Sequence, residues 1–187
     1  MSSFRQLMMR EKGGGIEFKT AVVSTGNAYI SVPLYQDVKR IDIEGTATNT
    51  EMYSKQTFVT TYYYYSGSYS YNGYGINCEI GTSAGQKAYK INLYSFSYGG
   101  SSTITTFPSS YSADFNVSVV FENAFNPVHL FELARAGKTK SVKIYNSNDV
   151  LLGEFLPAIV NGESGMYDTV GQQFYANANS VGSLVCE

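Results

Sequence analysis

The stretch Val142-Lys143-Ile144-Tyr145-Asn146-Ser147-Asn148-Asp149-Val150-Leu151-Leu152-Gly153-Glu154-Phe155 decides the fold class. Two short apolar-rich runs, 142–145 and 151–155, flank Asn148-Asp149. Asn and Asp tolerate the positive φ that a tight turn requires, so the stretch reads as a β-hairpin. Working outward, runs of the same kind recur at Ala21 to Val23, Tyr29 to Val32, Val38 to Ile43, Phe58 to Tyr65, Tyr89 to Tyr94 and Phe115 to Phe121. Between them stand Ser24-Thr25-Gly26-Asn27, Gly67, Asn72-Gly73, Gly99-Gly100 and Asn161-Gly162. Short strands punctuated this often predict an all-β sandwich or barrel.

One segment is ambiguous. Asn126-Pro127 opens, and Gly137 closes, a run from Val128 to Ala136 that taken locally is a capped helix. Four to eight apolar residues fit a buried strand equally well. Ahead of the body, Met1 to Lys12 is short and basic, with Arg5 and Arg10 bracketing only Leu7, Met8 and Met9 as apolar residues. A secretory signal needs roughly 7–15 uninterrupted apolar residues, so this is not an export signal. Phe4, Leu7 and Met8 line one face of a helical turn, and Gly13-Gly14-Gly15 form a joint. The expected organisation is an attachment or oligomerisation arm over 1–15 and one β-domain over 16–187.

Composition narrows the function classes. The chain has 187 residues, 13 Lys+Arg against 15 Asp+Glu, and a net charge of -2. A nucleic-acid partner is not expected, because phosphate binding needs clustered cations to displace counterions. No run of about 18 apolar residues predicts a membrane span. Cys78 and Cys186 are the only cysteines, a spacing that accommodates one long-range bridge or two unrelated thiols. His129 is the only histidine, which removes paired-His metal sites.

Tyrosine is the compositional anomaly. Tyr62 to Tyr98 holds ten of the 17 tyrosines, and 56–86 carries a single charge, Glu79. In a strand over Phe58 to Tyr65, Tyr62 and Tyr64 share one face while Tyr63 and Tyr65 share the other. One face can fill a core; the other is left for solvent, a ligand or a second chain. With Tyr69, Tyr71 and Tyr74 separated by Ser, Gly and Asn, the segment has the composition of recognition loops. Rings of this kind stack on sugar faces or seal a subunit seam, and they also simply suit strands.

Catalytic constellations are thin. Asp42 and Glu44, at i and i+2, share a strand face, as paired carboxylates of a glycoside hydrolase would. The same spacing is ordinary on solvated strands. Neither a nucleophile elbow, a phosphate-binding loop nor a calcium loop is present in the sequence. Arg135, Lys138, Lys140 and Lys143 form a small basic cluster, read as a solvated turn rather than a phosphate grip. No catalytic residue, metal ligand or cofactor is expected.

Both ends of the body resemble a known family. Ile16-Glu17-Phe18 through Val23-Ser24-Thr25-Gly26-Asn27-Ala28-Tyr29-Ile30 is similar to the "LEYIESTGTQYI" opening of concanavalin A-like (laminin G-like) jelly-roll domains. Such domains are abundant in phage and prophage structural proteins. Lys143-Ile144-Tyr145-Asn146 with Leu151-Leu152-Gly153-Glu154-Phe155-Leu156-Pro157 resembles the family's "KIY(D/N)…LVRDFIP" hairpin. Gly165-Met166-Tyr167-Asp168-Thr169-Val170 and Gln173-Phe174-Tyr175-Ala176-Asn177-Ala178 resemble its "GLYD(L/K)V…FYTNAGTG" close. Residues from about 50 to 125 match only loosely.

The resemblance implies an antiparallel two-sheet jelly-roll sandwich, and a strand at Val128 to Leu133. It implies Ser24-Thr25-Gly26 as a turn, Phe155, Tyr167 and Phe174 as core or edge anchors, and Pro157 as a strand exit. It carries over no sugar or metal ligands. The functional expectation is a non-enzymatic virion protein, a head-fibre, tail-fibre or decoration subunit. It would be made in the host cytoplasm and assembled as a trimer or dimer on capsid or tail proteins. Tyr62, Tyr64, Tyr69, Tyr71 and Tyr74 would meet a neighbouring subunit or a host-surface glycan, and Phe4, Leu7 and Met8 would anchor the arm. A carbohydrate-binding adhesion module not fixed to a particle is the alternative.

Overall fold

The structure is a computed structural model. It describes residues 15–32, 35, 37–48, 55–65, 68–70, 75–83, 86–93, 104–107, 112–125, 129–134 and 137–187, with side-chain surroundings for 15–32, 35, 37–46, 114, 116, 118, 120, 133–134 and 137–187. Among the described residues every element is a strand and none is a helix. In chain order they are β1 (Ile16–Phe18), β2 (Val22–Gly26), β3 (Ile30–Val32), β4 (Val38–Thr48), β5 (Lys55–Tyr65), β6 (Ser68–Ser70), β7 (Gly75–Ser83) and β8 (Gln86–Leu93). There follow β9 (Ile104–Phe107), β10 (Ser112–Phe125), β11 (His129–Leu133), β12 (Lys138–Asn146), β13 (Leu151–Val160), β14 (Glu163–Asp168), β15 (Gln173–Ala176) and β16 (Gly182–Cys186). The described part of the chain is all-β, with antiparallel pairing. The segment ambiguous between helix and strand is β-strand over His129–Leu133.

Two hydrogen-bonded sheets result. One runs β10-β4-β12-β13-β14-β15, with β1 on β13, β2 on β12 and β16 on β2. The other runs β3-β11-β5-β7-β8-β9, with β6 on β5. The hairpin β12–β13 closes where the Asn148-Asp149 signal stood. The Asp149 amide donates to the Asn146 carbonyl at 3.1 Å, and the Asn146 amide to the Val150 carbonyl at 3.0 Å. Asp149 alone of the pair takes positive φ, 61°, so the turn is a three-residue bulged loop. The Asn146 side chain stiffens it by accepting from the amides of Asn148 and Val150. Asn161-Gly162, with φ of 52° and 83°, makes a tight two-residue turn between β13 and β14.

Period-two alternation places the core. Ile43, Val142 and Phe155 are Cα partners in one row across β4, β12 and β13, and all three are buried. Ile41 and Ile144 form the next row. Ile30 and Val32 of β3 and Leu133 of β11 join the same cluster, so the core draws on both sheets. Phe155, fully buried, contributes on the order of 2–3 kcal/mol by leaving water.

Pro157 is not a strand exit. β13 runs through it to Val160. One edge of β13 pairs with β12 through Phe155 and with β1 from Ala158 onward. Pro157 falls at that change of partner; it has no N–H to give, and its carbonyl accepts from the Lys19 amide at 2.9 Å, just beyond the end of β1. β1 and β2 thus occupy the wedge opened where β12 and β13 diverge, and β2 pairs with the start of β12 at Lys138 and Thr139.

Candidate functional site

The solvent face of β10-β4-β12-β13 carries polar groups in ordered rows. Asp42 stands between Ser118 of β10 and Lys143 of β12, and Glu44 between Asn116 and Ser141. The Asp42 carboxylate accepts from the Ser118 hydroxyl and pairs with Arg40 at 3.2 Å. Arg40 also pairs with Asp149, and its guanidinium lies 3.8 Å above the Tyr145 ring. Tyr145 therefore has that ring face covered by a cation. The strand neighbours of the Asp42–Glu44 pair are Ser, Asn and Lys; no carboxylate stands opposite either residue in the adjoining strands.

The basic cluster is dispersed into separate ion pairs. Lys138 pairs with Glu187, Lys140 with Asp114 at 3.0 Å and Lys143 with Glu154 at 3.4 Å. Each of these three lysines has its own carboxylate partner, and Arg135 lies outside the described residues. The Thr46 hydroxyl and Lys140 together hold the Asp114 carboxyl below the ordinary aspartate range.

A buried carboxylate was not singled out in the sequence. Asp168, 2% exposed, continues the row Ile43–Val142–Phe155 onto β14. Oδ1 accepts from the amides of Glu154 at 3.1 Å and Val170 at 3.0 Å, and Oδ2 accepts from the Tyr35 hydroxyl at 3.1 Å. Burial, then the adjacent Asp168 charge, push the Tyr35 phenol far above its ordinary value and that of Tyr175 upward too. The Tyr35 ring packs edge-on to Phe155, and a Cβ on Gly153 would sit 2.6 Å from the Tyr35 oxygen. With three donors on its oxygens the carboxylate is a structural anchor fixing the turn after β14. Its sequence signal is an acid standing two residues after Met166, on the same strand face.

The two ends of the body interlock. Asn177 Oδ1 accepts from the amides of Tyr29 at 3.2 Å and Asn179 at 3.1 Å, while its Nδ2 donates to the Gly182 carbonyl at 3.1 Å. Asn179 Nδ2 donates to the Asn27 carbonyl at 2.8 Å. The Thr25 hydroxyl sits 2.8 Å from that of Ser183. β16 pairs along β2 from Gly182↔Gly26 to Cys186↔Val22. The Cys186 amide donates to the Ser164 hydroxyl at 3.2 Å, which brings this pair over β14. Cys186 is a free thiol, 3.3 Å from the Ala158 carbonyl oxygen.

Of the tyrosines, Tyr62 and Tyr64 lie on β5 and Tyr69 on β6, and Tyr64 and Tyr69 are Cα partners. Tyr62 is the partner of Leu130 on β11, and His129 is the partner of Tyr63. The backbone therefore brings three of the five candidate rings onto adjoining strands of the smaller sheet. Tyr71 and Tyr74, like Phe4, Leu7 and Met8, lie outside the described residues. Tyr167 stacks edge-on against Phe18 at 5.9 Å, half-buried at the β1 side, and Phe174 is half-buried on β15.

No family model, curated protein or solved structure matches the chain. Among the described residues there is no cluster of His, Cys, Asp and Glu suited to a metal ion, and no helix long and apolar enough to cross a membrane.

Proposed function

We propose that the chain is a structural protein of a phage virion, a head-fibre, tail-fibre or decoration subunit, with a non-enzymatic, lectin-like jelly-roll body of the concanavalin A type. The observation that carries the reading is the interlock of Ser24 to Tyr29 with Asn177 to Ser183. Tyr29 bonds to Asn177 and Ala178, which joins two of the segments that bear the family resemblance, so their joint presence has a structural cause. The core shared between the two sheets supports a two-layer sandwich. On this reading β5 and β6 belong to the presenting surface, where Tyr62, Tyr64 and Tyr69 meet a sister subunit or a host-surface glycan.

Residues 1–15 are the arm that joins the particle. β1 follows it directly and pairs with β13 from Ile16↔Val160 to Phe18↔Ala158. The test is deletion of residues 1–15 in the phage genome. The shortened protein should fold, with an unchanged far-ultraviolet spectrum, yet be missing from purified particles. Incorporation at the full-length level would reject the arm's role. Electron microscopy that finds the full-length chain on no particle would reject the virion reading itself, and glycan binding by that free protein would identify it as an adhesion module.

A further inference from the structure

We propose that β10 is the surface through which two copies of this chain join, edge to edge, into one continuous sheet around a two-fold axis. β10 is a 14-residue strand at the end of the larger sheet, and among the described residues its only neighbour is β4. It runs in unbroken register from Ser112↔Thr48 to Val120↔Arg40. On the side away from β4, every second residue of such a strand presents both an N–H and a C=O to whatever comes next. Protein edges normally defend these groups with charged side chains, Pro, bulges or short length. From Ser112 to Val120 the strand carries one charge, Asp114, and no Pro, and its register shifts only after Val120.

The occupant is argued from self-complementarity. An antiparallel pairing of β10 with itself about Val117 sets Asn116 opposite Ser118 and Asp114 opposite Val120. Over the regular stretch 114–120 no like charges oppose each other. Asn116, Ser118 and Val120 are exposed, and Asp114 is already engaged by Lys140 and Thr46 of its own subunit. A two-fold perpendicular to the sheet keeps both solvent faces on one side and both cores on the other. The proposal rests on the oligomeric part of the reading above and moves the subunit contact from the tyrosines of β5 and β6 to this edge.

The double variant Asn116→Lys with Ser118→Lys places like charges directly opposite each other across the proposed axis, on exposed positions of the subunit. Light scattering of the full chain should give twice 20.5 kDa for the wild type and half that mass for the variant, with the melting temperature of the subunit retained. A wild type that stays at 20.5 kDa over the whole concentration range would overturn both the edge assignment and the oligomeric reading. An assembly that persists in the variant would overturn the edge assignment alone and leave the tyrosine strands as the contact.

Discussion

Gly182→Ala tests whether the interlock of the two ends holds the body together. Gly182 sits at φ 95°, beyond the left-handed well that an L-residue tolerates, and a Cβ there would run into the Thr25 carbonyl and lie 3.0 Å from the amides of Asn27 and Ala28. Left-handed backbone alone costs about 1–2 kcal/mol with a side chain present. Relieving the collision means moving β16 off β2, which weakens the bond from Asn177 Nδ2 to the Gly182 carbonyl and that from the Ser183 amide to the Thr25 hydroxyl. At about 1 kcal/mol each, the expected loss is roughly 3–4 kcal/mol. Gly162→Ala is the control. Gly162 also has positive φ, 83°, but a Cβ there meets nothing within 4 Å, so only the backbone cost of about 1–2 kcal/mol applies. Urea unfolding of the two variants isolates the collision from the dihedral strain. If Gly182→Ala costs no more than Gly162→Ala, the ends do not lock as described.

Two further outcomes are expected. Tyr35 has its phenol pushed up in the folded state, so above about pH 10 the unfolded chain releases a proton that the folded one keeps, and stability falls as pH rises. Tyr35→Phe should remove that part of the loss between about pH 9 and 11; equal loss in both proteins, measured by urea unfolding at each pH, would refute it. Tyr64→Ala and Tyr71→Ala should each abolish any signal on a glycan array without moving the melting temperature, and binding that survives both changes would clear those rings of a glycan role.

Much of the frame was legible because strand burial has period two and turns need particular residues. Ile41 and Ile43, Val142 and Ile144 announce their faces by alternation, and Asn148-Asp149 and Asn161-Gly162 announce their turns by chemistry. The strands that alternation alone did not yield, β14 to β16 among them, are short or rich in Gly, Ser and Asn, and they owe their conformation to partners far away in the chain. β16 is held by β2 across more than 150 residues, and no local pattern encodes that. Pro157 misled for the same reason. A proline marks a strand end locally, but here it occupies the one place where β13 exchanges partners, and only the register shows that exchange.

The anchor and the candidate surface differ in how far sequence reaches them. Asp168 stands at an even spacing from Met166, on the core side of β14, where alternation predicts an apolar residue. Such a break in pattern is a usable signal, since a buried carboxylate persists only with donors around it, and the amides of Glu154 and Val170 with the Tyr35 hydroxyl are those donors. The tyrosines break no pattern: a strand with rings on both faces is consistent with core, solvent, sugar or a second chain. Register narrows this by setting Tyr64 beside Tyr69 and Tyr62 beside Leu130, but cover over a sheet is supplied by another layer or another molecule, and neither is encoded along one strand. A long edge such as β10 shares that property, which is why the assembly state, and not a further substitution within the core, is the measurement that separates a subunit contact from a ligand surface.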